Sequence, residues 1–428
     1  MMITILIGLI IIGLALIGTP LFAVISAIAL MAFYFADISS SAVIVEMYRL
    51  ASMPILPAIP LFTFAGYLLA ESNTPRRLIN FSRAFFGWIP GGLSVVTLVS
   101  CAVFTAFTGA SGVTIIALGG LLYPVLLQEK YPEKFSLGLL TTSGSLGLLF
   151  PPSLPIILYG LVSGVSIDRL FVAGILPGVL MVILLSLYSI LFVRDLKIPT
   201  TAFSWKNAWK ATREAAWEVP LPIIILFGIY GGYITVTEAA SVTAFYVFIV
   251  EVFIYRDIKI RTDLPRVMRQ SMILFGGILV ILGAALGLAN YLVDAEIPMK
   301  ILDFMKKFIT SKLLFLVTLN IFLLIVGFLM DIFSAIMVVV PLIIPIAANY
   351  GVDPVHLGII FLANLEIGYA TPPVGMNLFI ASFRFNKPII KLYIAAIPFL
   401  IILVIALIII TYIPDLSLLL VRLFLPGG

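Results

Sequence analysis

Apolar residues fall in long runs separated by short polar stretches. The runs lie at about 2–18, 20–36, 53–71, 89–107, 113–128, 136–163, 171–193, 219–233, 237–255, 272–293, 313–329, 333–349, 357–383 and 391–413. A helix needs ~20 apolar residues to cross the hydrocarbon of a bilayer, so the pattern predicts about ten spanning helices with connections. Two basic stretches interrupt it, TPRRLINFSRAFFGW and IPMKILDFMKKFITSK. Each has one charged and one apolar face, the pattern of a helix lying along a membrane surface. Two longer polar loops, RDLKIPTTAFSWKNAWKATREAAWE and YRDIKIRTDLPRVMRQ, follow other spans. No Ser/Gly linker or charged tail sets a soluble domain apart.

Composition sharpens this. Of 428 residues, 62% are hydrophobic and 11% charged, with a mean hydropathy of +1.24. A soluble domain carries about 25% charged residues. A cytosolic enzyme, a nucleic-acid binder and a secreted module are thereby excluded, and an all-α polytopic membrane protein is predicted. The single cysteine, Cys101, excludes an internal disulfide and a cysteine metal cluster. The single histidine, His356, excludes a histidine-rich metal or haem site. Both read as ordinary residues, of a span and of an outer loop. The first run lacks the basic leader of a secretory signal and reads as a retained span.

The chain repeats itself. Shifting YPVLLQEKYPEKFSLGLLTTSGSLGLLFPPS by 221 residues places Gly147 on Gly368 and Pro151-Pro152 on Pro372-Pro373. The same shift aligns the two basic stretches, Gly66 with Gly287, and the span 2–36 with 223–257. Repeat 1 is expected over 1–218, with a hairpin at about 89–128 and a broken helix at about 136–163. Repeat 2 is expected over 219–428, with a hairpin at about 313–349 and a broken helix at about 357–383. Each copy reads as three spans, an amphipathic arm helix, a re-entrant hairpin, a discontinuous helix and one further span. Five crossings per copy is an odd number, so the second copy must be inverted. With the N-terminus outside, the 25 basic residues divide eighteen inside to seven outside, as the positive-inside rule requires.

Chemistry concentrates where helices break, because unwound backbone at membrane depth is tolerated only along a protein cavity. The first hairpin turns at TAFTGASGVT and the second at GFLMDIFS; the broken helices unwind at TTSGSLGLLFPPS and ANLEIGYATPPVGMN. Paired prolines should free carbonyl oxygens upstream. Inverted repeats with discontinuous helices are the mark of secondary transporters. Half-helix C-termini and freed carbonyls suit Na⁺, and half-helix N-termini suit a substrate carboxylate. Substrate candidates are Thr108, Ser111, Ser143, Ser145, Pro151, Pro152, Thr371, Pro372, Pro373 and Asn377. Na⁺ candidates are Gly109, Ser111, Gly144, Gly147, Asp331, Ser334, Gly368 and Thr371. A lone proline pair is ordinarily a kink; two at one offset beside hydroxyls point to a site. Asp331 reads equally as a helix cap or an ion ligand. Glu366 reads as a coupling acid or as an acid facing water or a base. Glu238, in ITVTEAAS, reads as an acid opening a helix.

These residues carry a resemblance. IPLFTFAGYLL, FTGASGVTIIALGG, GSLGLLFPPSLPIILYGLVSGVSI, LFVAGILPG, GGYITVTEAASV, GVDPVHLGI and TPPVGMNLFIAS resemble the large membrane subunit of TRAP (tripartite ATP-independent periplasmic) transporters, with the ion-transporter-superfamily fold. They are spread over about residues 55 to 400. The resemblance implies a Na⁺-driven importer of organic acids in the bacterial inner membrane, without an organic cofactor. It also implies two partners, a soluble periplasmic substrate-binding protein and a small four-helix membrane subunit, here expected as a separate chain. An elevator is implied, with a transport body at about 89–163 and 313–383 moving against the remaining scaffold. The substrate class covers C4-dicarboxylates, sialic acid and sugar acids. The alternative is a stand-alone ion-coupled carboxylate symporter of the divalent-anion type. An intramembrane hydrolase is disfavoured, since the chain has neither a GxSxG elbow nor an HExxH helix.

Overall fold

The computed structural model describes residues 13, 19–39, 41–196, 202–231 and 233–425. Among them every regular element is helical, as expected where each segment must satisfy its own backbone within lipid. The span expected at 2–18 lies outside the described residues apart from Gly13.

The first half contains α1 (Leu21–Phe35), α2 (Ser41–Ala51), α3 (Ala58–Glu71) and the arm α4 (Thr74–Phe86). It continues through α5 (Gly92–Thr108), α6 (Ser111–Gln128), α7 (Glu133–Ser143), α8 (Leu154–Ser163), α9 (Ile167–Val193) and α10 (Trp205–Glu214). The second half contains α11 (Pro220–Tyr230), α12 (Val236–Ile254), α13 (Asp263–Asp294) and the arm α14 (Ile297–Lys306). It continues through α15 (Lys312–Leu329), α16 (Ile332–Asn349), α17 (Pro354–Gly368), α18 (Met376–Phe385), α19 (Ile389–Tyr412) and α20 (Asp415–Phe424). Among the described residues, seven helices are long and apolar enough to cross a membrane, or eight if the bent pair α7–α8 is one span.

Local sequence explains the boundaries. Thr235 and Glu238 form a capping box at the start of α12, each side chain bonding the other's amide, which is the structural role read for Glu238. Asp353 caps α17 by accepting from the amides of Val355 and His356. One expectation changes: the apolar run from residue 53 does not begin as helix. Pro54 and Pro57 hold the chain in turns between α2 and α3. The second half has one 32-residue helix, α13, in the corresponding place.

Ion pairs show which loops share a face. Arg266 at the start of α13 pairs with Glu71 at the end of α3, Arg83 of α4 with Glu129 after α6, and Lys387 with Glu133. Hairpin α5–α6 therefore begins and ends on the face that carries Arg266. At the other end of α13, ~48 Å away at 1.5 Å per residue, lies the base of hairpin α15–α16. There Lys312 Nζ donates to Gly351 O at 2.6 Å and Tyr350 donates to Ile309 O at 2.9 Å.

The helices pack in two sets that meet where α3 lies on α5 and α13 on α16. In one, α13 lies against α1, α2 and α3, and α12 against α3. In the other, α15 lies against α17, α7 against α19, and α9 against α5, α17, α19 and α20. The arms brace the hairpins, α4 on α5 and α14 on α16.

Hairpin tips and helix breaks around one cavity

The hairpin tips are built differently. The first turns in two residues, because Gly109 takes a positive φ of 64° that a side chain would strain. The second turns through Asp331, whose carboxylate accepts from the Ser334 amide at 3.0 Å and from the Ser334 hydroxyl. That is the capping role of the two read for Asp331.

Both breaks contain a cis peptide bond, Pro151-Pro152 and Pro372-Pro373. The prolines free carbonyls as expected, yet most of those carbonyls find new donors. Leu148 N–H bonds Ser145 O, Phe150 N–H bonds Gly147 O, and Asn377 N–H bonds Tyr369 O at 2.9 Å. Side chains from other elements take three more. Thr105 donates to Gly144 O at 2.8 Å, Ser145 to Glu366 O at 3.2 Å, and Asn377 to Thr141 O at 3.3 Å.

The break glycines serve close approach. A Cβ on Gly147 would lie 2.2 Å from Ala102 O, and one on Gly368 would lie 2.5 Å from the Gly327 backbone. Each break is thereby pressed onto the first helix of its own hairpin.

Tips and breaks meet at a cavity of about 410 Å³. Gly109 to Gly112 supply one wall and Asp331 to Phe333 another; Leu148, Tyr369 and Met376 come from the breaks and Leu274 from α13. A second cavity of about 510 Å³ shares Val113, Ile116 and Leu274 with it and runs to Glu71 and Gln270, toward the Arg266 face. Of the residues singled out in the sequence, Gly109, Ser111 and Asp331 line the central cavity. Thr108, Ser143, Gly144, Ser145, Gly147, Ser334, Gly368 and Asn377 are buried behind it. Pro151 and Pro152 are buried too, Pro151 facing a separate apolar cavity with Phe107 and Phe150. Thr371 and Pro372 are half-buried and Pro373 exposed, so the two proline pairs are not equivalent.

Several buried polar atoms here have no hydrogen bond: Thr108 Oγ1, Ser153 Oγ, Asn377 Oδ1 and both carboxyl oxygens of Glu366. Glu366 is fully buried, so it faces neither water nor a base.

Sequence reasoning passed over two groupings. His356, read as an outer-loop residue, is buried in the first turn of α17, 3.2 Å from Ser417 Oγ and from Thr411 O. Asn364 donates to Asn320 at 2.8 Å, and Asn320 to Thr411 at 3.1 Å, joining α17, α15 and α19. On the opposite face, Arg77 of the arm meets three acids. It bonds Asp257 at 2.7 Å, Glu251 at 2.9 Å and Glu218, and stacks 3.8 Å over Tyr255. Burial opposes the Arg77 charge, but its acidic partners more than reverse this and hold its pKa above the usual arginine value. Burial also pushes the Glu218 carboxyl above the usual carboxylate range, against the pull of Arg77. The only sequence signal was the basic character of the arm.

A helical membrane protein with two hairpins, two interrupted helices and one cavity between them has the architecture of a transport permease. The fold is that of a solved transporter: the chain aligns with the Alcanivorax borkumensis YdaH transporter, described as having an unusual topology, at a TM-score of 0.60 and 14% identity, covering 89% of this chain and 86% of that one. The chain belongs to the DctM component family of the tripartite ATP-independent periplasmic transporters, whose family model matches residues 3–416. It is 36% identical to the C4-dicarboxylate TRAP transporter large permease protein DctM of Pseudomonas aeruginosa, covering 91% of each. It is 30% identical to the ectoine TRAP transporter large permease protein TeaC of Halomonas elongata, over 95% of this chain and 96% of that one. It is 36% identical to the isethionate TRAP transporter permease protein DctMQ of Oleidesulfovibrio alaskensis, over 85% of this chain and 57% of that longer one. These relatives are transporter permease subunits, not enzymes.

Proposed function

We propose that this large permease subunit imports organic acids, C4-dicarboxylates being the first to try, by coupling to Na⁺ and moving as an elevator. The observation that carries the reading is a cavity walled by both hairpin tips and both helix breaks. Substrate at that cavity would touch every discontinuous element at once, so its binding can be sensed by all of them.

The two halves act as inverted-topology repeats, a reading supported by hairpin bases lying at opposite ends of α13. Thr108 Oγ1 and Asn377 Oδ1, buried without partners just behind the cavity, are neutral oxygens suited to a cation, and the Thr108 hydroxyl can also donate. The moving body comprises α5–α8 and α15–α18. Because α9 and α19 make their most extensive contacts with those helices, the body carries them too. The scaffold is α1–α3 and α11–α13, with α4 and α14 as arms. The basic face is cytoplasmic, the membrane is the bacterial inner membrane, and both termini are periplasmic. A small four-helix subunit and a periplasmic binding protein complete the system.

The test is reconstitution. The chain together with both partner proteins should accumulate labelled C4-dicarboxylate in liposomes under an inward Na⁺ gradient and not under a K⁺ gradient. Equal uptake with K⁺ would remove the sodium coupling. Full-rate uptake by this chain alone would favour the stand-alone symporter.

A further inference from the structure

The arm α4 and the helix α10 enclose a cavity of about 330 Å³, on the face that carries Arg266 and away from the central cavity. Its lining includes Arg83 and Lys210, the amides Asn80 and Asn207, the indole of Trp88 and one acid, Glu214. Arg83 pairs with Glu129, and Lys210 lies 3.9 Å from Glu214. An arginine has five donors, and the structure gives Arg83 one hydrogen bond, to Glu129. The helix α10 has the sequence WKNAWKATRE, three bases to one acid.

A second observation points the same way. The chain has four tryptophans, and all four, Trp88, Trp205, Trp209 and Trp217, lie on or beside these two helices. All four are exposed: Trp88 at 52%, Trp205 at 78%, Trp209 at 73% and Trp217 at 43%. Indoles concentrate where headgroups meet hydrocarbon, with the ring apolar and the N–H polar. A cavity holding two cations, two amides and one acid, lined by the exposed indole of Trp88 with Trp205 and Trp209 exposed on the same helix α10, matches a phosphodiester above an acyl chain. Basic pockets between helices on the cytoplasmic side bind acidic headgroups for this reason. A soluble anion would have no use for the aromatic rim.

We propose that this cavity binds the headgroup of an anionic phospholipid, which joins the arm α4 to α10. The proposal does not depend on the transported substrate or on the coupling ion.

Because Trp88 lines the cavity and the other three tryptophans lie on or just beyond α10, intrinsic fluorescence of the full chain in detergent reports on this region. Phosphatidylglycerol brominated on its acyl chains should quench that fluorescence saturably and at lower mole fraction than brominated phosphatidylcholine, and added salt should weaken the difference. The double substitution Arg83→Gln/Lys210→Gln should abolish the selectivity and leave the phosphatidylcholine curve unchanged. Equal quenching of the wild type by both lipids would overturn the proposal, and that measurement needs no variant. So would selectivity that survives the double substitution. Inorganic phosphate that blocks the selective quenching at matched ionic strength would assign the cavity to a free anion, and a stoichiometric small membrane subunit that displaces the lipid would assign it to the partner; either result would also overturn it.

Discussion

Ser145 donates its hydroxyl to the backbone carbonyl of Glu366, 3.2 Å away and 221 residues along the chain. The two positions are counterparts under the offset that relates the halves, so the first break is tied to the second at equivalent points. Asn377 repeats the tie in the other direction by donating to Thr141 O. Neither break can change shape without disturbing the other, which is the mechanical property a shared binding cavity requires.

Ser145→Ala removes that tie and leaves the Glu366 carbonyl without its cross-break donor. A net loss of ~0.5–1.5 kcal/mol is expected for one such bond, read as a lower melting temperature of the purified protein. In the reconstituted complex the Na⁺ concentration for half-maximal uptake should rise. A variant identical to wild type in both measurements would show that the contact is incidental.

Gly147→Ala and Gly368→Ala should each destabilise by ~1–3 kcal/mol, because the added methyl meets backbone atoms that cannot yield. Gly276→Ala is the contrast. A Cβ there meets nothing within 4 Å, and α13 should gain up to ~1 kcal/mol of helix propensity. Thermal unfolding of the three variants checks the order; equal losses at all three would mean that the close approach is not what these break glycines are for.

Glu366→Met keeps side-chain length and removes a buried carboxyl whose oxygens have no partner. Leaving such a group unmet costs ~1–3 kcal/mol, so the variant should melt higher than wild type. If uptake falls while stability rises, the acid is kept for transport. A lower melting temperature would mean that the carboxyl contributes to folding instead of costing stability.

Much of the fold was legible because its determinants are local. Proline, glycine and capping residues act within a few positions, so the breaks, both tips and the 221-residue offset could be read directly from the chain. What could not be read depends on partners far away. Arg77 looked like one more cytoplasmic base, yet Glu218 and Asp257 lie 141 and 180 residues beyond it. Glu366 presented two readings, and nothing local says that its carboxyl ends in a place with neither water nor a base. The proline pairs are identical as sequence; their different burial comes from which helices cover them.

Arg77→Ala would leave three acids around a buried vacancy, and removing one partner of a buried pair costs ~3–5 kcal/mol. Arg77→Lys should recover only part, since a point charge cannot bond three carboxylates at once. The pH dependence follows from Glu218. Its folded pKa lies above the unfolded value, so the folded state holds the proton more tightly. Stability therefore falls as pH rises from the ordinary glutamate range through the raised value, and levels off above it. Without Arg77 the downward pull on Glu218 is gone, and the window over which stability falls should extend to higher pH. Melting temperature against pH for both proteins decides this; parallel curves would mean that Arg77 does not act on Glu218.

Relative motion of the two helix sets has a direct test at their boundary. Ile116 on hairpin α5–α6 and Ile273 on α13 line the same cavity from opposite sides. The one natural cysteine, Cys101, is buried and gives little background reaction. A reducible cross-linker joining Ile116→Cys to Ile273→Cys should stop uptake, and reduction should restore it, if the proposed elevator moves one set past the other. Tyr123 and Phe385, whose rings lie 4.8 Å apart, both fall within the proposed moving body. Joining Tyr123→Cys to Phe385→Cys should leave uptake near wild type. If both links are tolerated equally, the sets do not move past one another and the elevator is lost; if both block, the hairpin must flex within itself, and the moving body is smaller than the packing implies.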